Sequence, residues 1–290
     1  MNSLRPTPPS WPPTAPRYVH VLSIAGSDSG GGAGVQADLK TFAALGCYGM
    51  TAITAVTAQN TRGVSAVQGL PPALVAAQVE AVAGDIGLDA IKVGMLLSAD
   101  IVQAVAASLR ALARPVPVVL DPVMVATSGD RLMAPDAVAV LVRELFPLAT
   151  VVTPNLDEAA LLLGHPVTEA AQFEAAAQAL RALGARAVLL KGGHLAGGTV
   201  TDLLADDQGL RAWQAPRIAS RNLHGTGCTL SAAIAAHLGL GLALADAVAA
   251  ARDYVRAAIA AGAAVRTGEG CGPLNHGHAP LAQRLRAGGR

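Results

Sequence analysis

Short runs of aliphatic and β-branched residues alternate along this chain with stretches that repeat apolar positions every three or four residues. These are the two periods that separate strands from helices. The pattern predicts strands at 18–25 (YVHVLSIA), 50–57 (MTAITAVT), 90–93, 116–120, 150–153 and 187–190. Helices are expected between them at 34–45, from Pro71-Pro72 to about residue 84, and at 99–113, 135–145, 155–163 and 168–183. Residues 199–204 and 210–214 read as a hairpin across Asp206-Asp207-Gln208-Gly209, and the end of the chain as helices at 226–238 and 243–265. Alternation this regular implies a three-layer α/β/α sandwich with a mostly parallel central sheet. There is no internal repeat and no break in composition after residue 17, so residues 18–290 read as one domain. Prolines at 6, 8, 9, 12, 13 and 16 mark residues 1–17 as a flexible tail without the apolar core of a signal peptide.

Composition narrows the class. Hydrophobic residues make up 52% of the 290 and charged residues 14%, enough apolar side chain for a large core. A net charge of +1 with scattered basic residues gives neither a nucleic-acid footprint nor a basic membrane face. Residues 222–245 lack Asp, Glu, Lys and Arg, but His224, Thr226, Ser231, His237 and four glycines suit a buried helix better than a spanning one. Cys47, Cys228 and Cys271 are far apart and form no C-x-x-C pair, which fits a reducing compartment and a soluble, cytoplasmic protein. His276 and His278 lack the helix context of a zinc site and read as a polar element near the end of the chain.

In parallel sheets ligands collect beyond the carboxyl ends of the strands, so chemistry is sought in the segments that follow them. The first, GSDSGGGAG, fits G-x-G-x-x-A over Gly32–Ala37, but no acid follows about 20 positions on to hold a ribose: after Asp38 the next is Glu80. A Walker A loop is excluded because Gly-Lys occurs nowhere. A second loop, His224-Gly225-Thr226-Gly227-Cys228-Thr229, opens a helix, and its converging N–H groups and positive end would make an anion hole. Cys228 then falls in a first turn, where a lowered thiol pKa is expected. Asp121 and the Asn155-Leu156-Asp157-Glu158 run follow strands and carry magnesium-type ligands, although Asn155 and Glu158 equally suit a capping box. Lys191, one of three lysines in the chain, closes a strand ahead of Gly192-Gly193-His194 and would neutralise phosphate charge. His194 reads as a loop hydrogen-bonder.

Taken in order, IAGSDSGGGAGVQADLKTF, TAQNTRGV, KVGML, LDPVMVATSGDRLM, TPNLDEAALLL, LKGGH and NLHGTGCTLSAAIA resemble the hydroxymethylpyrimidine/phosphomethylpyrimidine kinases, the thiamine-pathway branch of the ribokinase-like superfamily. The resemblance covers about residues 18–278. It implies a ribokinase-like domain, dimeric as is usual in that branch, that uses ATP and Mg²⁺ to phosphorylate 4-amino-5-hydroxymethyl-2-methylpyrimidine and then its monophosphate. It further implies that Gln59 reads the aminopyrimidine edge and that Gly26, Asp38, Met95 and Val123 shape the acceptor pocket. Lys191 would meet ATP phosphates, Asp121, Asn155 and Glu158 would organise magnesium, and Gly225, Thr226, Gly227 and Cys228 would form the anion hole. Cys228 stands where sugar kinases carry an aspartate base, and a thiolate base is the corresponding expectation. Leu223, Pro122 and Ala126-Thr127 depart from the pattern. A pyridoxal kinase is the nearest rival reading. A non-catalytic binding protein would be expected to have lost Asp121, Glu158, Lys191 or the loop glycines, all of which are present.

Overall fold

The computed structural model describes residue 12, residues 15–125 and residues 132–286. Most of the proline-rich tail and the Ala126-Thr127 pair lie outside the described residues. The elements run β1 (Arg17–Tyr18), β2 (His20–Asp28), α1 (Gly34–Ala44), β3 (Tyr48–Asn60), β4 (Gly63–Gly69), α2 (Pro72–Asp85), β5 (Ala90–Val93) and α3 (Ala99–Arg110). They continue with β6 (Val118–Leu120), α4 (Pro135–Leu145), β7 (Val151–Val152), α5 (Leu156–Leu163), α6 (Phe173–Ala182) and β8 (Val188–Lys191). The last are β9 (Thr199–Asp206), β10 (Gly209–Pro216), α7 (Thr226–Gly239), α8 (Leu244–Gly262) and β11 (Leu285–Arg286).

Nine strands form one sheet in the order β10-β9-β8-β7-β6-β5-β2-β3-β4. The middle is parallel, and the antiparallel pairs β3–β4, β8–β9 and β9–β10 lie toward the edges. The central strands are apolar without a break because both faces are covered. Leu22, Ile24, Val118, Leu120, Val188 and Leu190 face one core with α2 to α6, while Val21, Val119 and Leu189 face a second with α1, α7 and α8. Helix α7 is almost entirely buried, and its Ala/Gly-rich sequence allows close packing against α1 and α8.

Most elements fall within a few residues of the sequence pattern. Three do not. β4 escaped notice because it is an edge strand of mostly exposed residues with no clear apolar alternation. The expected 168–183 helix begins as a 3₁₀ turn, Ala170–Gln172, before α6. The first expected strand divides at Val19: Arg17 and Tyr18 pair instead with Arg286 and Leu285. Arg17 is therefore part of the fold, held by Asp89 through two hydrogen bonds of 2.6 and 2.7 Å.

Asp89 ties together both ends of the described chain. It also accepts from the His20 N–H at 2.9 Å and from Arg286 at 3.1 Å. Burial opposes its charge, but Arg17 and the His20 N–H outweigh burial and hold its carboxyl below the usual range. Asp89→Asn, which keeps the volume and removes the charge, is expected to cost about 1–3 kcal/mol in urea unfolding at pH 7. Because the folded carboxyl is depressed, this contribution is complete above about pH 5 and lost as pH falls through the folded value. The gap between the wild-type and variant urea midpoints should therefore narrow as pH falls below about 4, and a gap that stays constant between about pH 5 and pH 3 would contradict the assignment.

Candidate active site

The carboxyl ends of β2, β3, β5, β6, β7 and β8 open on a cavity of about 780 Å³. Every site residue expected from the sequence lines it except Asp38.

Two glycine-rich loops form its floor. β2 ends at Asp28, whose carboxylate accepts from the N–H groups of Gly30, Gly32 and Ala33 at 2.8, 3.0 and 2.8 Å and so folds the first loop around itself. The second loop brings Gly225 against this one: φ is +81° there, and a Cβ would overlap the Gly32 carbonyl. Gly34, at φ +57°, is likewise pressed against the Gly26 carbonyl. No side chain caps α7, and its first residues, Gly225 to Cys228, line the cavity, where the positive end of the helix favours an anion.

At one end of this floor stand the charged groups. Lys191 Nζ is 2.8 Å from Asp121 Oδ1 and 3.9 Å from Glu158 Oε2, and a Cβ on Gly227 would lie 3.2 Å from it. Asp121 is buried, with Thr153 Oγ1 at 3.1 Å and Ser231 Oγ at 3.2 Å donating to it. Burial disfavours its charge, but Lys191 and then Lys92 hold its carboxyl low. Burial alone would lower Lys191, yet Asp121 and Glu158 keep it above its ordinary value, so the site holds a permanent cation. Glu158 and Asn155 form the capping box of α5, with side-chain-to-N–H bonds of 2.8 Å each way. Burial raises Glu158 to about 7, with Asp121 adding to the effect and Lys191 opposing it.

Asp38 lies beneath the site. It is fully buried on the sheet-facing side of α1, 2.8 Å from the equally buried Lys92 and 2.5 Å from Ser23 Oγ, and its Oδ1 has no hydrogen-bond partner. The expected substrate contact from Asp38 is corrected accordingly: Lys92 fills the space between it and the cavity wall. The expected low thiol pKa is also corrected. Burial, joined by Asp121 and Asp38, pushes Cys228 up to about 11 against the opposing pull of Lys92 and the Gly34 N–H. A helix N-terminus does not compensate for that loss of water. His276 is not a surface element either: it is buried with Nε2 3.0 Å from Thr229 Oγ1 of α7 and is lowered to about 4 by burial.

The other end of the cavity is largely apolar on one side. Met95, Val123 and Leu132 supply an apolar wall, and Gly26 is small because a Cβ would come within 2.6 Å of Met95 Cε. Opposite them Gln59, at the end of β3, stands beside Thr57 and His224. Asp28 and His224, 3.0 Å apart, were not singled out in the sequence. At the far rim, Arg217 donates to the carbonyls of Gly193, Leu195 and Gly197, fixing the loop after Lys191, and His194 pairs with Asp157 at 2.7 Å.

A parallel sandwich that sets a buried lysine against an uncapped helix N-terminus defines the chain as a ribokinase-like phosphotransferase. The structure of the pyridoxal kinase from Staphylococcus aureus in complex with AMP-PCP superposes with a TM-score of 0.82 at 37% identity, covering 89% of this chain and 94% of that one. A family model described as phosphomethylpyrimidine kinase matches residues 28–275, and the chain belongs to that family. A hydroxymethylpyrimidine/phosphomethylpyrimidine kinase of Rhizobium meliloti is 55% identical over 258 residues, covering 89% of this chain and 96% of the relative. The thiamine biosynthesis bifunctional protein ThiED of Geobacter sulfurreducens is 52% identical over 256 residues, which cover 88% of this chain and about half (52%) of that protein.

Two outcomes follow from the buried charges. Lys92→Met leaves Asp38 buried without its cation and is expected to cost about 3–5 kcal/mol in urea unfolding, while adding Asp38→Leu recovers much of that loss. A double variant no more stable than the single would show that the pair is not coupled. Because Cys228 is held near 11, its alkylation by iodoacetamide at pH 7.5, followed by peptide mass spectrometry, should run at least about tenfold slower than that of a free thiol. A rate matching or exceeding the free thiol would contradict the protonated state.

Proposed function

We propose that the protein transfers the γ-phosphoryl group of ATP to the hydroxymethyl oxygen of 4-amino-5-hydroxymethyl-2-methylpyrimidine, and then phosphorylates the monophosphate to the diphosphate, in thiamine biosynthesis. The observation that carries this reading is the placement of Lys191 beside the first turn of α7, in one cavity with the Gln59–Met95–Val123 ring slot. Family membership and the relatives above support the acceptor, and the AMP-PCP complex of the similar pyridoxal kinase supports ATP as donor.

In this reading the ring lies against the Met95–Val123 wall, with its amino edge at Gln59, whose amide can donate and accept together. The hydroxymethyl group then reaches the floor at Cys228. Its oxygen forms a bond to the γ-phosphorus as the bond to the β-phosphate oxygen breaks, and that electron pair leaves with ADP. Lys191 and the N–H groups of Gly225 and Gly227 meet the charge spread over the transferred group, while the Thr226 N–H is held by the Leu223 carbonyl. Phosphoryl transfer through a loose transition state depends chiefly on such positioning and charge stabilisation. Cys228, protonated at rest, serves as the hydrogen-bond partner of the hydroxyl, whose proton passes to an oxygen of the transferred phosphoryl group as the new bond forms and from there to water.

No group of three or more His, Cys, Asp and Glu is placed to hold a metal ion among the described residues. The donor set nevertheless fits Mg²⁺ carried in on a nucleotide, which needs only one or two carboxylates besides waters and phosphates. Asp121 and Glu158 would be those carboxylates, with Asn155 orienting Glu158. Glu158, raised to about 7 beside Asp121, would gain from a neighbouring cation. The ion would neutralise phosphate oxygens.

The test is ADP release by the purified protein with Mg-ATP and the hydroxymethylpyrimidine, its monophosphate, pyridoxal or ribose. Turnover of both pyrimidines is expected, and Lys191→Met should lower kcat by roughly 10²–10³. Preference for pyridoxal would move the acceptor to the other vitamin, and no turnover with any of them would overturn the reading.

A further inference from the structure

The contacts around Gln59 carry more than its presence in the ring slot. Its amide stands with Oε1 3.1 Å from Thr57 Oγ1 and Nε2 3.4 Å from His224 Nε2. Thr57 Oγ1 is also 2.9 Å from the Ser27 carbonyl oxygen, which can only accept. A hydroxyl has one proton, so Thr57 donates to Ser27 and has an acceptor lone pair left for Gln59. A carbonyl oxygen facing that lone pair is the wrong partner.

The second contact points the same way independently. His224 Nε2 is 3.0 Å from Asp28 Oδ2. Burial raises Asp28, but His224 and the N–H groups of Ala33 and Gly30 outweigh it, and its carboxyl lies below the ordinary value. An ionised carboxylate brings no proton, so the ring nitrogen donates. The Gln59 NH₂ group would then face an N–H, donor against donor. A half-turn about the last side-chain bond of Gln59 exchanges its oxygen and nitrogen and removes both clashes: the NH₂ donates to Thr57, and the oxygen takes the minor branch of a three-centre bond from the His224 N–H, whose first partner is Asp28.

We propose that Asp28 and His224 are positioning residues that fix the orientation of the Gln59 amide, and thereby select an acceptor ring with a ring nitrogen next to an amino group. The proposal rests on the reading above, in which Gln59 meets the ring. One N–H of the amide, on the Thr57 side, is left for the ring nitrogen, and a lone pair of its oxygen, on the His224 side, is left for the amino group. A ring without the amino group leaves that oxygen unsatisfied, and a site built to hydrogen-bond a group discriminates strongly against its absence. Asp28 anchors this chain of contacts because the same carboxylate folds the first glycine loop. The His224 ring lies directly on that loop: a Cβ on Gly32 would come within 2.5 Å of its Cδ2.

The experiment has two readouts on the full-length protein. In long-range ¹H–¹⁵N spectra of histidine-labelled wild-type protein, His224 Nε2 should carry a proton throughout pH 6–8. A bare Nε2 would overturn the proposal without any variant being made. Kinetically, the wild type should prefer the 4-amino pyrimidine over its 4-deamino analogue by about 10²-fold or more in kcat/KM. His224→Leu should raise KM for the amino compound about tenfold, leave kcat within about threefold, and reduce the preference to about tenfold or less. His224→Gln, which returns a donor near the same place, should restore it. Loss of kcat with an unchanged preference in His224→Leu would overturn the proposal. Gln59→Leu separates the two levels: if it leaves the preference intact, the ring-slot reading itself fails. If it abolishes the preference while His224→Leu does not, only the present proposal fails.

Discussion

Two segments nearly two hundred residues apart touch through bare backbone at Gly225 and Gly32, and the chemistry of the site depends on that contact. It can form only where residue 225 has no side chain, since a Cβ there would overlap the Gly32 carbonyl, and Gly225 also holds a left-handed φ that other residues adopt at a cost. The contact sets the start of α7 over the end of β2. The start of that helix, Lys191 and the Gln59–Met95–Val123 slot then share one cavity. Asp28 reinforces it from both sides, binding three N–H groups of one loop and the histidine of the other.

Charge is distributed around this contact in two layers. Lys191, Asp121 and Glu158 line the cavity and leave a permanent cation where phosphate charge would arrive. Beneath them Lys92 and Asp38 form a pair removed from water. Such a pair contributes little to net stability, since apolar residues of similar volume often serve as well. Its position below Cys228 instead places a cation where it opposes the rise in the thiol pKa.

Much of this was legible in the chain, for identifiable reasons. The buried parallel strands announce themselves as unbroken apolar runs, and the Asn155–Glu158 spacing states its own capping box. Lys191 stood out by position at the end of a strand and by the scarcity of lysine. Asp38, expected in the pocket from the resemblance, lies instead on the sheet-facing side of α1, and a matched motif does not say which face of a helix meets the cavity. Lys92 was hidden inside the short strand AIKV, where nothing local reveals an ion pair with a helix 54 positions away. Asp28 and His224 were missed because their roles arise from a contact across 196 positions. The available signals were an acid just ahead of a glycine run and a histidine directly before Gly-Thr-Gly. The Cys228 pKa was misjudged because the helix N-terminus can be read from sequence and the degree of burial cannot.

The most direct test of the loop contact is Gly225→Ala, examined together by thermal unfolding and by calorimetric binding of a non-hydrolysable ATP analogue. If the backbone approach builds the phosphate site, the variant loses several degrees in Tm and most of its nucleotide affinity together, because a methyl group forces the two loops apart. Wild-type stability with wild-type affinity would show that the loops can separate without consequence, and would contradict the account.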